Sequence, residues 1–187
     1  MDRRSILESV FAAIALQNST RIGSAQTGKQ PVIVPAGEDR FQEKLTVAPC
    51  MLSGKDTNGA MSIFGPSTRT GPPGSVLRGV PLHVHHDQDE WWYILTGEYL
   101  FQIGNRKIRA KAGDAVFGPR GVPHSPLRLS QSSSSITLFQ PAGTMEEFFH
   151  EVAKLRPGTG QDVAVETMGE LFRAHGMEIV GPAVQLL

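Results

Sequence analysis

The sequence has little cysteine and no excess of charge of either sign. Cys50 is the single cysteine among 187 residues, which excludes an intramolecular disulfide and a zinc site built from paired thiolates. The 18 Lys and Arg residues balance 18 Asp and Glu residues, so the formal net charge at pH 7 is +0. We therefore expect no nucleic-acid partner, because binding of this kind depends on clustered Lys and Arg side chains.

The chain also lacks a long hydrophobic run. The apolar stretch Val10 to Leu16 is far shorter than the roughly 20 residues that a membrane-spanning helix needs, and no later segment approaches that length, so we predict no membrane span. The length suits one domain with extensions. The content of 20 Gly and 13 Pro residues favours many tight turns between short strands.

The amino end allows two interpretations. Arg3 and Arg4 precede the short apolar run, and small residues follow at positions 23–25, which resembles a twin-arginine export signal. On that interpretation, which we favour, residues 1–25 are removed and the protein is periplasmic. The alternative is a helix in a cytoplasmic protein, because apolar residues recur at a spacing of four at Ile6, Val10 and Ile14.

Residues 31–143 consist of short apolar runs separated by turn residues, which indicates an antiparallel all-β fold. Gly104 and Asn105 lie where a hairpin turn is expected. The segment 65–81, rich in Gly and Pro, and the polar segment 130–135 are predicted loops, the second of them mobile. We predict strands at 41–51, 59–64, 81–86, 90–96, 99–103, 107–110, 115–117, 125–129 and 136–140.

Residues 144–187 change to a helical period and are predicted to form a carboxyl-terminal extension with two helices. A capping-box pattern at Thr144 begins the first helix, which should end near Arg156. The second helix is predicted to run from an N-cap at Asp162 to His175. We expect both helices to cover the outer face of the β-barrel.

Three histidines and one glutamate follow a pattern that suits a metal site. His83 and His85 lie two residues apart in a predicted strand, so their imidazoles share one face and their Cα atoms are about 7 Å apart. Glu90 follows a short turn and opens the next antiparallel strand, which returns its carboxylate toward that face. The turn-rich segment 113–128 delivers His124. Three neutral imidazoles and one carboxylate would leave one or two positions open on a first-row metal ion.

The spacing of these residues resembles the two sequence motifs of the cupin family. The pattern PxHxHxxxxExxxxxxG is filled by Pro81, His83, His85, Glu90 and Gly97, and the pattern GxxxxxPxGxxH by Gly113, Pro119, Gly121 and His124. The resemblance covers about residues 60 to 140. It implies a cupin jelly-roll-like β-barrel, here with an N-terminal extension and two C-terminal helices. It also implies that His83, His85, Glu90 and His124 bind one divalent transition metal in the mouth of the barrel. Iron or manganese is favoured, although nickel, cobalt, copper and zinc suit the same ligands.

Three segments outside the two motifs are similar to small single-domain relatives of quercetin 2,3-dioxygenase, namely residues 54–65, 146–155 and 175–182. This wider resemblance implies a dioxygenase whose small-molecule substrate is an enolizable or phenolic compound such as a flavonol, with Glu90 also acting as proton acceptor. Two alternatives stay open, namely a redox-neutral isomerase or lyase, and a sensor or binding protein for a small molecule without catalysis. We also expect a homodimer, because an uncapped edge strand would need covering.

Three further residues are candidates for substrate binding. Trp92 and Ile94 share strand parity with Glu90 and are predicted to line the pocket, although such residues are more often simply core. Arg128 stands where the second motif commonly has Asn. It either clamps an anionic substrate oxygen or extends from the mouth of the barrel with no catalytic part. His86 has the opposite parity and is not predicted to be a ligand.

Overall fold

The computed structural model describes residues 31–40, 48–70, 80–155 and 163–186. The predicted export signal at residues 1–25 lies outside these ranges, as do residues 41–47 of the first predicted strand and the predicted N-cap Asp162. Among the described residues, no helix is both long enough and apolar enough to cross a membrane.

Over the described residues, two antiparallel sheets of five strands each form the body of the fold, which is the all-β jelly roll predicted from the sequence. One sheet has the order β1-β2-β9-β4-β7 and the other the order β10-β3-β8-β5-β6. Two helices, α1 and α2, follow β9. The bounds are β1 Cys50–Leu52, β2 Ser62–Thr70, β3 Leu82–His85, β4 Asp89–Thr96, β5 Glu98–Ile103, β6 Arg106–Lys111, β7 Ala115–Gly118, β8 His124–Arg128, β9 Ser132–Gln140, α1 Met145–Leu155, α2 Val165–Ala174 and β10 Met177–Gly181.

The strand register determines which residues face the interior. Glu90 on β4 is paired with Gly118 on β7 and with Phe139 on β9. In the other sheet, His83 on β3 is paired with His124 on β8. Directly paired residues share a face of the sheet, so these side chains point between the two sheets. The inner face also carries an apolar cluster that contains Trp92, Ile94, Tyr99, Phe101, Ala110 and Val116.

The two helices pack against inner-face residues, so the prediction that they cover the outer face is wrong. Phe148 of α1 and Phe172 of α2 belong to one buried cluster with Phe64 and Phe139 of the first sheet. The rings of Phe148 and Phe172 meet edge to face, with centroids 5.1 Å apart. Each helix has an apolar stripe that must be buried, and the inner face offers aromatic partners for it.

Three segments differ from the predicted secondary structure. β2 continues to Thr70, so the predicted loop that begins at Gly65 is strand over its first residues. β9 begins at Ser132, and Ser133 to Ser135 are buried strand residues rather than a mobile loop. β10 was not predicted, and it pairs with β3 so that Ile179 lies opposite His83. In each case, pairing with a neighbouring strand supplies hydrogen bonds that local composition does not reveal.

The hairpin between β5 and β6 and the start of α1 agree with the predictions, whereas β1 begins at Cys50 and β2 at Ser62, later than the predicted strands 41–51 and 59–64. The hairpin turn between β5 and β6 contains Gly104, whose φ is 57°. Helix α1 carries Glu146 and Glu147 in its first turn and Lys154 in its last, which matches the direction of the helix dipole. Helix α2 begins at Val165 with Ala164 at the N-cap position, so the prediction that its N-cap is Asp162 is wrong.

Candidate metal centre

The four predicted ligand residues converge between the two sheets. His83 and His85 come from β3, Glu90 from β4 and His124 from β8, and one potential ligand atom of each lies within 4.8 Å of the others. All four side chains are buried. Strand alternation brings both histidines of β3 to one face, and the pairing of β3 with β8 adds the third.

Glu90 lies at the centre of the cluster. Its Oε2 atom is 3.1 Å from Nε2 of His124 and 3.3 Å from Nε2 of His85. The ring of His83 completes the group, with centroid distances of 5.1 Å to His85 and 4.6 Å to His124. The Nε2 atoms of His85 and His124 therefore face the same carboxylate oxygen.

The opposite nitrogen of each imidazole faces an oxygen acceptor. Nδ1 of His83 is 2.8 Å from the Pro81 carbonyl oxygen, and Nδ1 of His124 is 3.0 Å from the Val122 carbonyl oxygen. Carbonyl oxygens only accept, so each Nδ1 must carry the proton. When a neutral ring carries its proton on Nδ1, the lone pair of Nε2 is available to a metal ion.

Burial and neighbouring charges set the protonation of the cluster. Burial raises the pKa of Glu90, but hydrogen bonds from His124 and His85, made when their Nε2 atoms carry protons in place of a metal ion, outweigh this effect and lower the pKa to about 2. Burial, with a smaller contribution from His124, lowers the pKa of His83 to about 3. At neutral pH, Glu90 is thus a carboxylate and His83 is neutral.

This donor set fits a divalent metal ion. Burying a carboxylate costs free energy unless a positive charge lies beside it. In this cluster the positive charge is supplied either by imidazoles protonated on Nε2 or by a metal ion. One anionic oxygen and three neutral nitrogens suit first-row divalent ions, and the same set admits several of them. The cluster can therefore hold a metal ion, whose identity the donors do not decide.

An aromatic ring contacts each of the three histidines. Phe172 of α2 meets His83 edge to face at a centroid distance of 5.3 Å. Phe139 of β9 lies 5.6 Å from His85, and Trp92 of β4 lies 5.3 Å from His124. Sequence spacing does not identify Phe139 and Phe172 as neighbours of the cluster, because their position depends on the pairing of β9 with β4 and on the docking of α2. These rings give the centre an apolar surrounding, which strengthens electrostatic interactions inside it.

The three predicted substrate-binding residues occupy different surroundings. Trp92 and Ile94 are buried on the inner face, where Trp92 contacts His124 and Phe101. The guanidinium of Arg128 donates a hydrogen bond of 3.0 Å to the Gln131 carbonyl, in the connection from β8 to β9. Trp92 therefore lies beside the cluster, at His124. The hydrogen bond of Arg128 is made to the loop between β8 and β9. His86 is exposed and lies 3.9 Å from Glu178.

Backbone and side-chain contacts fasten the segment that precedes His124 to the segment that carries His85. The Gly121 amide donates to the His85 carbonyl at 2.7 Å. Arg120 forms an ion pair with Asp89 at 2.7 Å and also donates to the Gln140 carbonyl at 3.2 Å. Nothing in the sequence spacing of Arg120 and Asp89 indicates this contact.

Comparison with known proteins connects this geometry to a family. Residues 72–139 match the family model described as Cupin domain. The matched range contains all four clustered residues. Residues 72–139 are therefore similar to a cupin domain. The match ends at Phe139, so α1, α2 and β10, which contribute Phe172 and Ile179 near His83, follow the matched range.

The chain also resembles individual proteins over limited segments. It is 43% identical over 54 residues to "Oxalate-binding protein" of Thermotoga maritima, which is 29% of this chain and 42% of that relative. It is 40% identical over 43 residues to an uncharacterized protein of Methanocaldococcus jannaschii, which is 23% of this chain and 34% of that relative. The chain thus spans less than half the length of either relative. Among solved structures, a predicted oxalate decarboxylase from Thermotoga maritima aligns with a TM-score of 0.42 and 28% identity, covering 50% of this chain and 78% of the other.

Proposed function

We propose that this chain is a metal-dependent cupin enzyme, a dioxygenase that acts on a small enolizable or phenolic compound. The observation that carries the proposal is the convergence of three imidazoles and one carboxylate, all buried, with ligand atoms within 4.8 Å of one another. A set of buried polar groups of this kind adds nothing to stability without a cation to bind.

His83, His85 and His124 would hold the metal ion through Nε2, and Glu90 would hold it through its carboxylate. Iron or manganese is the favoured ion in this proposal, and nickel, cobalt, copper or zinc would fit the same donors. When bound, such an ion supplies Lewis acidity and, if it is redox-active, a means of reaction with dioxygen.

Glu90 is the residue that we assign to proton transfer. Both contacts described for its carboxylate, with His124 and His85, are made by Oε2. Oε1 is then the oxygen that would accept a proton from a substrate hydroxyl at hydrogen-bond distance. Glu90 is ionised at neutral pH and is therefore available as a hydrogen-bond and proton acceptor.

The surroundings of the histidines favour a planar, weakly polar substrate. Trp92, Phe139 and Phe172 contact the three histidines, and Ile94 lies on the same inner face as Trp92. Aromatic and aliphatic neighbours of this kind suit a phenolic or enolizable compound, which is the substrate class that the resemblance to quercetin 2,3-dioxygenase relatives implies. In this proposal Trp92 and Ile94 pack against the substrate, and Arg128 pairs with an anionic oxygen at the mouth.

A second candidate function is redox-neutral binding or cleavage of a small dicarboxylate such as oxalate. The 43% identity to "Oxalate-binding protein" over 54 residues favours it. A dianion would need a cationic partner in addition to the metal ion, and Arg128 would have to turn from the Gln131 carbonyl to provide it.

We further propose that the protein is exported and that it acts as a homodimer. Export rests on the Arg3 and Arg4 pattern at the amino end. Protein recovered from a periplasmic fraction should begin near Gln26 on amino-terminal sequencing, and recovery with Met1 or Asp2 as the first residue would contradict export. The dimer contact that we propose is the outer face of the first sheet, where Trp91, Phe117 and Leu138 lie next to one another.

The experiment that tests the proposed function begins with elemental analysis of protein purified without added metal. We expect stoichiometric metal in the wild type and a loss of metal affinity of more than about 100-fold in His85→Ala. Removing a residue that only hydrogen-bonds to a metal ligand already costs about 10–100-fold, and this substitution removes a proposed ligand itself. His86→Ala is the matched control, since His86 is adjacent but exposed, and it should keep its metal.

Turnover then separates the two candidate functions. Oxygen uptake with phenolic or enolizable compounds supports the dioxygenase, whereas oxalate binding or carbon dioxide release from oxalate without oxygen uptake supports the second candidate. Full metal content in His85→Ala would overturn the ligand assignment that both functions share.

A further inference from the structure

Gln88 is a buried polar residue whose role the proposed function does not explain. It lies in the short connection between β3 and β4, and only 4% of its surface is exposed. Its Nε2 atom donates to the Ala142 carbonyl at 2.7 Å and to the Pro141 carbonyl at 3.1 Å. These carbonyls belong to the connection that leads from β9 into α1. The side chain thus ties the metal-site strands to the start of the helical extension.

The two carbonyls also determine how the Gln88 amide is oriented. Carbonyl oxygens only accept hydrogen bonds, so the amide nitrogen must face them and Oε1 must face the other way. Oε1 lies 3.5 Å from Nδ1 of His85. A reversed amide would set its oxygen against two other oxygens and would bring two N–H groups toward His85. The local hydrogen bonds therefore present an acceptor to Nδ1 of His85.

His85 differs in this respect from the other two histidines. Backbone carbonyls face Nδ1 of His83 and His124, and a side-chain substitution leaves those acceptors in place. The acceptor that faces Nδ1 of His85 belongs to a side chain. A single substitution can therefore remove it while the strand that carries His85 is kept.

We propose that Gln88 is a positioning residue for the metal centre. Its Oε1 holds the proton of His85 on Nδ1, which leaves Nε2 to face the metal ion, and its Nε2 couples this arrangement to the start of α1. Gly143 makes the coupling possible, because its φ is +53° and a Cβ atom there would collide with the Gln88 amide. This inference rests on the proposed function, since it requires His85 to be a ligand.

The test compares three variants for Zn²⁺ binding in competition with a chelator. Gln88→Leu removes both the acceptor and the donors, and we expect it to weaken Zn²⁺ affinity by about 10–100-fold. Gln88→Glu keeps an oxygen toward His85 but loses the amide donors to Pro141 and Ala142. It should therefore bind Zn²⁺ almost as tightly as the wild type, although its folded state should be less stable than that of the wild type. Gln102→Leu is the control, because Gln102 is a half-buried glutamine whose amide bonds the Gly104 carbonyl at 3.3 Å. It should bind Zn²⁺ like the wild type.

Nuclear magnetic resonance of the Zn²⁺-loaded wild type provides a readout that needs no substitution. The Nδ1 proton of His85 should be visible and protected from exchange with solvent, and Gln88→Leu should lose that protection. The inference is overturned if the wild type lacks this signal, if Gln88→Leu binds Zn²⁺ within twofold of the wild type, or if the Leu and Glu variants lose affinity equally. Wild-type protein that binds no Zn²⁺ would overturn the proposed metal function as well, whereas the other outcomes leave that function standing.

Discussion

Cys50 shows how strongly the interior changes the chemistry of one side chain. It is completely buried on β1, and burial, with a further contribution from Glu146, raises the pKa of its thiol to about 12. A thiol reacts as the thiolate, so both protonation and burial protect it in the folded protein. We predict that Cys50 reacts slowly with an aromatic disulfide reagent at mildly alkaline pH and rapidly after unfolding in denaturant, as measured by the absorbance of the released thiolate. Rapid labelling of the folded protein would contradict this environment.

The same pKa shift predicts how stability depends on pH. The ordinary pKa of the thiol is 9.0 and the folded value is about 12, so its contribution is complete below the first value and is lost as pH rises toward the second. Relative to Cys50→Ala, the wild type should therefore lose free energy of unfolding between about pH 8 and pH 10. Denaturant titrations of both proteins at the two pH values measure the difference, and parallel behaviour of the two would count against a buried neutral thiol.

Helix α2 contacts the candidate metal centre through Phe172. Phe172 packs on Phe148 and on the ring of His83. We predict that Phe172→Ala lowers the free energy of unfolding by about 3–5 kcal/mol through the cavity it creates. Val165→Ala in the same helix is the control, because Val165 is 77% exposed, and it should change stability by no more than about 0.5 kcal/mol. Denaturant unfolding measures both, and equal effects would show that α2 does not pack against the site.

The turn between β4 and β5 depends on close approach of the backbone as well as on glycine's conformation. Gly97 has a φ of +79°, and a Cβ atom there would lie 2.6 Å from the Ser132 carbonyl oxygen and 2.7 Å from the Ser133 Cβ. Gly113 has a similar φ of +90°, but a Cβ there would meet nothing within 4 Å. We predict that Gly113→Ala costs about 1 kcal/mol of unfolding free energy and that Gly97→Ala costs at least about 2 kcal/mol more. Thermal or denaturant unfolding checks the order, and equal costs would mean that strain alone governs both turns.

The shared face of His83 and His85 was predictable because its information is local: the two residues alternate within one strand, and period-two alternation suffices to place both on one face. Glu90 lies on β4 in the other sheet, so the prediction that it returns to the same face is wrong, and its approach to the histidines depends on how the two sheets face each other. The placement of His124 opposite His83 needs only the antiparallel pairing of β3 and β8. Spacing therefore indicates which residues can cluster, whereas their convergence depends on the pairing of β3 with β8 and on the position of β4 in the facing sheet.

The parts that could not be predicted depend on contacts distant in sequence. Ser133 to Ser135 look like a polar loop, yet β9 lies between β2 and β4, and pairing on both sides makes them strand. The amphipathic helices show an apolar stripe but not which surface receives it, so the inner face could not be chosen in advance. Gln88 lies inside the first motif, but its function appears only when Ala142 comes within hydrogen-bond distance.

At the scale of the whole molecule, the sheet edges differ in their charge. β6 ends the second sheet with Arg106, Lys107, Arg109 and Lys111, which would repel one another if two copies paired along this edge. β7, at an edge of the first sheet, has the sequence AVFG and no charge. Among the described edges, β7 is thus better suited than β6 to contact with a second copy.

The outer face beside β7 carries apolar side chains in a row. Trp91 is paired with Phe117 on one side and with Leu138 on the other, so the three side chains lie next to one another across β7, β4 and β9. They line a groove together with Asp89 and Gln140. Phe117 is 54% exposed. Because exposed apolar patches of this kind mark interaction surfaces, the row and the neutral edge together support a homodimer formed through this face.

Phe117→Asp should therefore convert the protein from dimer to monomer, because a twofold contact would bring two buried carboxylates together without a cation. Light scattering coupled to size-exclusion chromatography measures the molar mass of each protein. Val165→Asp, which adds the same charge at an exposed apolar position on α2, should stay dimeric. Metal content should be unchanged in Phe117→Asp, since Phe117 faces away from the inner surface that holds Glu90. A monomeric wild type, or a dimer that survives Phe117→Asp but not Val165→Asp, would exclude this face as the contact.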